Sequence, residues 1–366
     1  MHTKVAEMLD IEFPIFAFSH CRDVVAAVTN AGGVGVLGTT RQSVEELEYD
    51  LRWLEEQVGG KPYAVDVLFP SESAGDDLDA LWASIPKESI EFVADLRRRF
   101  GIPEPKDAGR YSHQGDNLIP THLRARQKLD VVLDFAPKLL ASALGPTPAD
   151  IVEAMHARGS LIVGLVGAPG QATKHIAAGT DIIVAQGTEA GGHTGEISTL
   201  VLVPQVVDEA GSVPVLAAGG IGDGRQIAAA IALGAHGVWT GSIWLATVEA
   251  DVEEEVTAKL IAASSRDTVR SRCLTGKPIR QLNTPWVAAW TEPGAPSALP
   301  APMQGMLVRD TMTGIFDHRV SEVMGTAVGQ IVGTIKDVRR ARRVIEDLIE
   351  EYVEASMRVA ELLTSE

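Results

Sequence analysis

Short apolar runs rich in Val, Ile and Leu recur along the chain and alternate with stretches whose apolar positions follow a helical period. Continuous apolar runs of this kind suit strands buried on both faces, as in a parallel sheet covered by helices. The run from Phe13 to Phe18 predicts a first strand. Arg22 to Asn30 sets Val24, Val25 and Val28 on one face, which predicts a helix stopped by Ala31-Gly32-Gly33. Val34 to Leu37 predicts the second strand. Ser43 followed by Glu46 is a capping box opening a helix through Gln57, and Tyr63 to Phe69 predicts the third strand.

The rhythm breaks over residues 70–120, which are rich in Ser, Asp, Pro and Arg, with one helical stretch near Ile90 to Phe100. An interruption of this length marks an excursion above the sheet. A helix over Thr121 to Lys128 and a fourth strand at Val131 to Phe135 resume the pattern. Further strands are expected at Leu161 to Val166, Asp181 to Ala185, Val213 to Ala217 and Gly237 to Thr240, each with its helix. The repeat predicts an α/β fold, a (β/α)8 TIM barrel. Beyond Ala246 the pattern changes: residues 248–265 read as an acidic helix, and 275–305 are rich in Pro, Trp and Gly without a period. The expected organisation is a barrel over 1–247, a small cap domain inserted after strand eight at 248–329, and a C-terminal closing helix within 330–366.

With 366 residues and 45% hydrophobic content the chain can bury a large core. Its formal charge of −17 argues against a nucleic-acid partner, which a negative surface repels. The basic runs Arg97 to Arg99 and Arg339 to Arg343 read as solvated helix faces. Cys21 and Cys273 are too few for a disulfide framework. No signal-like or membrane-spanning apolar run is present, so a cytoplasmic location is expected.

Barrel active sites lie at the C-terminal ends of the strands, and phosphates bind the loops after strands seven and eight. Those loops here carry Gly219-Gly220-Ile221-Gly222 and Gly241-Ser242. Glycines let backbone N–H groups approach an anion, and the hydroxyls of Thr240 and Ser242 are candidate donors. His193 stands in Gln186-Gly187-Thr188-Glu189-Ala190-Gly191-Gly192-His193, at the end of strand six. Imidazole titrates near neutrality and suits a general base at that rim. His20, after strand one, shares the rim. Glu189 and Glu196 flank His193 and read as solvated or helix-capping. Metal-ligand spacing, a Gly-x-Ser-x-Gly elbow and a Walker loop are all absent.

These segments resemble the nitronate monooxygenase family, the 2-nitropropane dioxygenase-like flavoproteins. The resemblance is carried by AQGTEAGGHTGE at 185–196, VLAAGGIGDGRQIAAAIALGAHGVWTGS at 215–242, AAVTNAGGVGVLG at 26–38 and GQIVG at 329–333. It implies FMN, with its phosphate on Gly219, Gly220, Thr240, Gly241 and Ser242. It places Gln186, Gly191 and Gly192 along the ring and ribityl chain, and Ala17 and Phe18 against the isoalloxazine. Asp66 stands where the family has an asparagine. The implied reaction is oxidative denitrification of nitronates or nitroalkanes with O2, His193 taking the α-proton. The alternative is NAD(P)H-dependent flavin reduction of quinones or enoyl thioesters. A small-molecule substrate and a homodimer are the partners implied. Trp286 and Trp290 either roof the pocket or pack within the cap.

Overall fold

The structure, a computed structural model, describes residues 1–69, 78–106 and 122–364. Its centre is a closed parallel barrel. The staves are β1 (Ile15–Ser19), β2 (Val34–Gly38), β3 (Ala64–Leu68), β4 (Leu139–Ala143), β5 (Leu161–Val166), β6 (Ile182–Gln186), β8 (Val215–Ala218) and β9 (Val238–Thr240). A further short strand, β7 (Gly192–His193), leaves the barrel after β6. Pairing of Ile15 with Val238 closes the ring.

Alternation along the strands explains why both faces are apolar. Phe16, Val36, Ala64, Ala141, Val163, Val184, Leu216 and Trp239 fill the interior. Their neighbours Ile15, Ala17, Ile183, Ala185, Val215 and Ala217 pack outward on the surrounding helices. The capping box at Ser43 and Glu46 forms as expected and opens the helix Val44–Val58.

The expected fourth strand is a correction. Val131 to Phe135 completes the helix His122–Phe135, and β4 lies at Leu139–Ala143 instead. Ala125, Leu129 and Val132 are buried at helical spacing, which outweighs the β-branched character of the run. Leu-Leu-Ala-Ser-Ala has no β-branched residue. It becomes a stave because β3 and β5 flank it with complementary ladders.

After β9 the chain builds a cap around β10 (Thr268–Ser271) and β11 (Ile279–Leu282), which pair antiparallel and take β7 as third strand. The helices Glu254–Ala262, Pro285–Ala289 and Met303–Asp317 share one buried cluster with Cys273 and Leu282 of this region. Met303–Asp317 leaves no amphipathic pattern in the sequence because it buries residues all round, Gln304, Gly305 and Thr311 among them. Part of the excursion belongs to the same core: Ile85, Val93, Leu96 and Ile102 cluster with Leu260, Val308 and Ile315. Residues 70–77 and 107–121 of the excursion lie outside the described residues. Trp286 and Trp290 pack edge to face inside the cap core. No helix among the described residues is long and apolar enough to cross a membrane.

The C-terminal helix Ala341–Thr364 closes the outer layer against the helix Gly224–Ala232. A Cβ on Gly224 would sit 2.1 Å from the Tyr352 backbone nitrogen. Gly224→Ala is therefore expected to lower unfolding free energy by about 1–3 kcal/mol. An unchanged denaturant midpoint would show that the two helices separate without cost.

Candidate active site

Strands β8 and β9 end in the two glycine turns. Gly219 and Gly220 adopt φ of 99° and 67°, a conformation that favours glycine. The N–H groups of Gly219, Gly220, Gly241 and Ser242 donate to no other described residue. A cluster of undirected N–H groups at the end of a barrel is a cradle for an oxyanion. A Cβ on Gly241 would meet nothing within 4 Å, so the space before it is open. The adjoining helix is capped by Asp223, whose carboxylate accepts from the Arg225 and Gln226 N–H groups.

Thr240 does not supply a hydroxyl to this cradle. Trp239 points into the barrel, so Thr240 points out; its Oγ1 donates to the Phe16 carbonyl and accepts from Trp244 Nε1, both at 2.9 Å. Ala17 likewise faces the outer core, leaving only its main chain toward the mouth. Ser242 keeps its hydroxyl at the cradle, where Oγ accepts the Gly329 N–H at 2.8 Å. Gly191 has a packing reason for lacking a side chain: a Cβ there would lie 2.8 Å from the Gly329 nitrogen. The Gln330 N–H donates to the Glu189 carbonyl at 2.9 Å. GQIVG thus ties the loop after β6 to the loop after β9.

Alternation turns Phe18, Asp66, Gln186 and Trp239 inward at the ends of β1, β3, β6 and β9. Phe18 and Trp239 stack at 6.3 Å. His20 sits beside them, edge-on to Phe18, with Nδ1 donating to the Gly38 carbonyl at 2.8 Å. Asp66 is 5% exposed and its Oδ1 has no hydrogen-bond partner among the described residues. Burial alone pushes its carboxyl from 3.8 to about 7.

His193 is not on strand six, as expected from sequence, but on β7, paired with Ile279 of the cap. The cap sheet thereby carries it. Its Nε2 lies 3.0 Å from Thr275 Oγ1. Part of the ring surface remains open, yet packed atoms surround it. Burial, with the charge of Lys277 adding, pushes its pKa from 6.5 to about 4. The imidazole is neutral at physiological pH. Glu189 caps the helix Thr199–Ala210, accepting from the Thr199 N–H and hydroxyl. Glu196 is 88% exposed in its side chain. Thr275 carries no mark in the sequence, since nothing but the turn between β10 and β11 brings it to His193. Both cysteines are buried and free, and burial with nearby Asp251 pushes Cys21 up to about 11, which removes it as a nucleophile. No group of His, Cys, Asp and Glu able to hold a metal occurs among the described residues.

Fold and site together define a (β/α)8-barrel enzyme with two glycine turns at the strand ends and a histidine carried on a cap strand. A model of the nitronate monooxygenase family matches residues 2–351, and the chain belongs to that family. It is a flavin oxidoreductase. It is 50% identical over 365 residues to Rv1533 of Mycobacterium tuberculosis, a protein named provisionally as a monooxygenase, with 97% of both chains covered. A provisionally named nitronate monooxygenase of Staphylococcus saprophyticus is 30% identical over 80% of this chain and 81% of its own. Among solved structures, nitroalkane oxidase from Streptomyces ansochromogenes superimposes with a TM-score of 0.81 at 26% identity, covering 97% of this chain and 99% of that one. FabK from Thermotoga maritima gives 0.75 at 26% identity and 99% coverage of both.

Proposed function

We propose that the chain binds FMN and oxidises nitronates or nitroalkanes to a carbonyl compound and nitrite with O2. The observation that carries this reading is the pair of glycine turns with undirected N–H groups, tied through Gly329 and Gly191 to the loop that leads to the neutral His193. Gly219, Gly220, Gly241 and Ser242 hold the phosphate through their N–H groups, as barrel loops at these positions do. Phe18, Gln186 and Asp66, turned inward at the ends of β1, β6 and β3, would border the ring. When bound, FMN supplies electron acceptance and reaction with O2. His193 takes the α-proton of a nitroalkane on Nδ1, since Nε2 is engaged with Thr275. Thr275 holds the ring plane while the cap limits water.

A second reading is NAD(P)H-dependent reduction of a quinone or enoyl thioester. The likeness to FabK, at the same identity as that to nitroalkane oxidase, favours keeping it. Anaerobic mixing separates the two. Bleaching of the flavin spectrum by an alkyl nitronate, with little change under NADH, is the expected result. Rapid bleaching by NADH alone would sink the oxidase reading, and a purified protein that takes up no FMN would sink both.

A further inference from the structure

The chain is strongly acidic overall, yet residues 268–291 contain Arg270, Arg272, Lys277 and Arg280 and no acidic residue. Within this stretch Arg270 and Arg280 stand directly opposite each other on β10 and β11. Like charges opposed across a ladder destabilise a sheet unless something compensates them. The compensation visible here is thin. Glu196 reaches Arg270 at 4.0 Å and is exposed, and Glu189 is engaged with Thr199.

The donors around the pair are only partly used. Arg280 is 8% exposed; its Nε donates to the Thr188 carbonyl at 2.9 Å and Nη1 to Thr268 Oγ1 at 3.3 Å. Arg270 Nη2 reaches the Thr194 carbonyl at 3.5 Å, at the limit of a hydrogen bond. Arg270 Nε and Thr194 Oγ1 are buried without a partner among the described residues. Leaving buried donors unmade is costly, which points to an absent acceptor. The register puts the pair and Gly192 on one face of the cap sheet and His193 on the other. A Cβ on Gly192 would meet nothing within 4 Å, so there is room beside Arg280.

We propose that Arg270, Arg280 and the Thr194 hydroxyl form a second oxyanion site, distinct from the glycine cradle, that takes a phosphate group. Two guanidinium charges match a dianion, and donors from two separate strands can reach different oxygens of one tetrahedral group. The phosphate is either a free ion or the end group of a larger ligand lying along the cap.

The test is calorimetric titration of the FMN-loaded protein with inorganic phosphate and with adenosine 5′-monophosphate, for wild type, Arg270→Gln and Arg270→Lys. Loading fills the glycine cradle first; a protein that takes up no FMN, which would sink the flavin reading separately, is titrated as purified. The expected result is phosphate binding weakened at least about tenfold in Arg270→Gln, with FMN affinity and melting temperature retained. Arg270→Lys recovers part of it, as a point charge without the fork. Tighter binding of the nucleotide than of phosphate supports the end-group source, and equal or weaker binding supports the free ion. Phosphate that does not bind wild type, or binds Arg270→Gln equally well, overturns the proposal.

Discussion

His193→Asn is expected to lower kcat/KM for a nitroalkane by about 10²–10⁴-fold, the usual contribution of a positioned general base, while FMN stays bound. The cradle residues lie in the turns after β8 and β9 and the histidine is on a cap strand, so cofactor retention and proton abstraction are expected to separate. A nitronate needs no deprotonation, so its turnover is expected to fall far less in the same variant. The pH profile follows from the environment of the ring. Burial and Lys277 depress its pKa to about 4. The base form therefore persists as pH falls, and loss of nitroalkane activity through this group sets in only near pH 4. Steady-state rates for both substrates across pH 4–8 check this. Equal losses on nitroalkane and nitronate would assign His193 a binding role instead.

Asp66→Asn is expected to stabilise the flavin-free protein above pH 7 and to leave its stability below about pH 4 unchanged. The carboxyl moves from 3.8 to about 7 on folding, through burial alone. Below 3.8 both folded and unfolded chains hold the proton, and the buried acid costs nothing electrostatically. As pH rises through the window from 3.8 to 7, the unfolded chain ionises first and stability is lost. Each pH unit of that window costs about 1.4 kcal/mol, so the loss at pH 8 approaches about 4 kcal/mol, an upper bound. An amide of the same shape does not ionise, so the variant escapes this loss. Thermal melts at pH 4, 6 and 8 read the difference, and parallel curves for the two proteins would show that Asp66 is solvated or paired in solution.

Much of the barrel was legible because its helices and strands follow different periods. The helix Arg22–Asn30 and the capped helix at Ser43 are local, set by apolar spacing and by end residues. The fourth strand was misplaced because Val131 to Phe135 and Leu139 to Ala143 carry local preferences opposite to their structures. Neighbouring staves decide between them. The Gly219-Gly220 turn was legible for the same reason as the helices: positive φ leaves its mark on the sequence.

The sequence by itself determined the β/α rhythm, the cradle glycines and the presence of a histidine among glycines near the end of strand six. Each depends on contacts or conformations within a few residues. Only the tertiary structure decided which groups those residues meet. Alternation in β9 turned Thr240 away from the cradle, and pairing of β7 with β11 carried His193 onto the cap beside Thr275. The excursion joined the cap core, and two arginines were set face to face across a ladder. These pairings join residues separated by tens to hundreds of positions. Their energies come from burial and from hydrogen bonds that exist only once the barrel has closed.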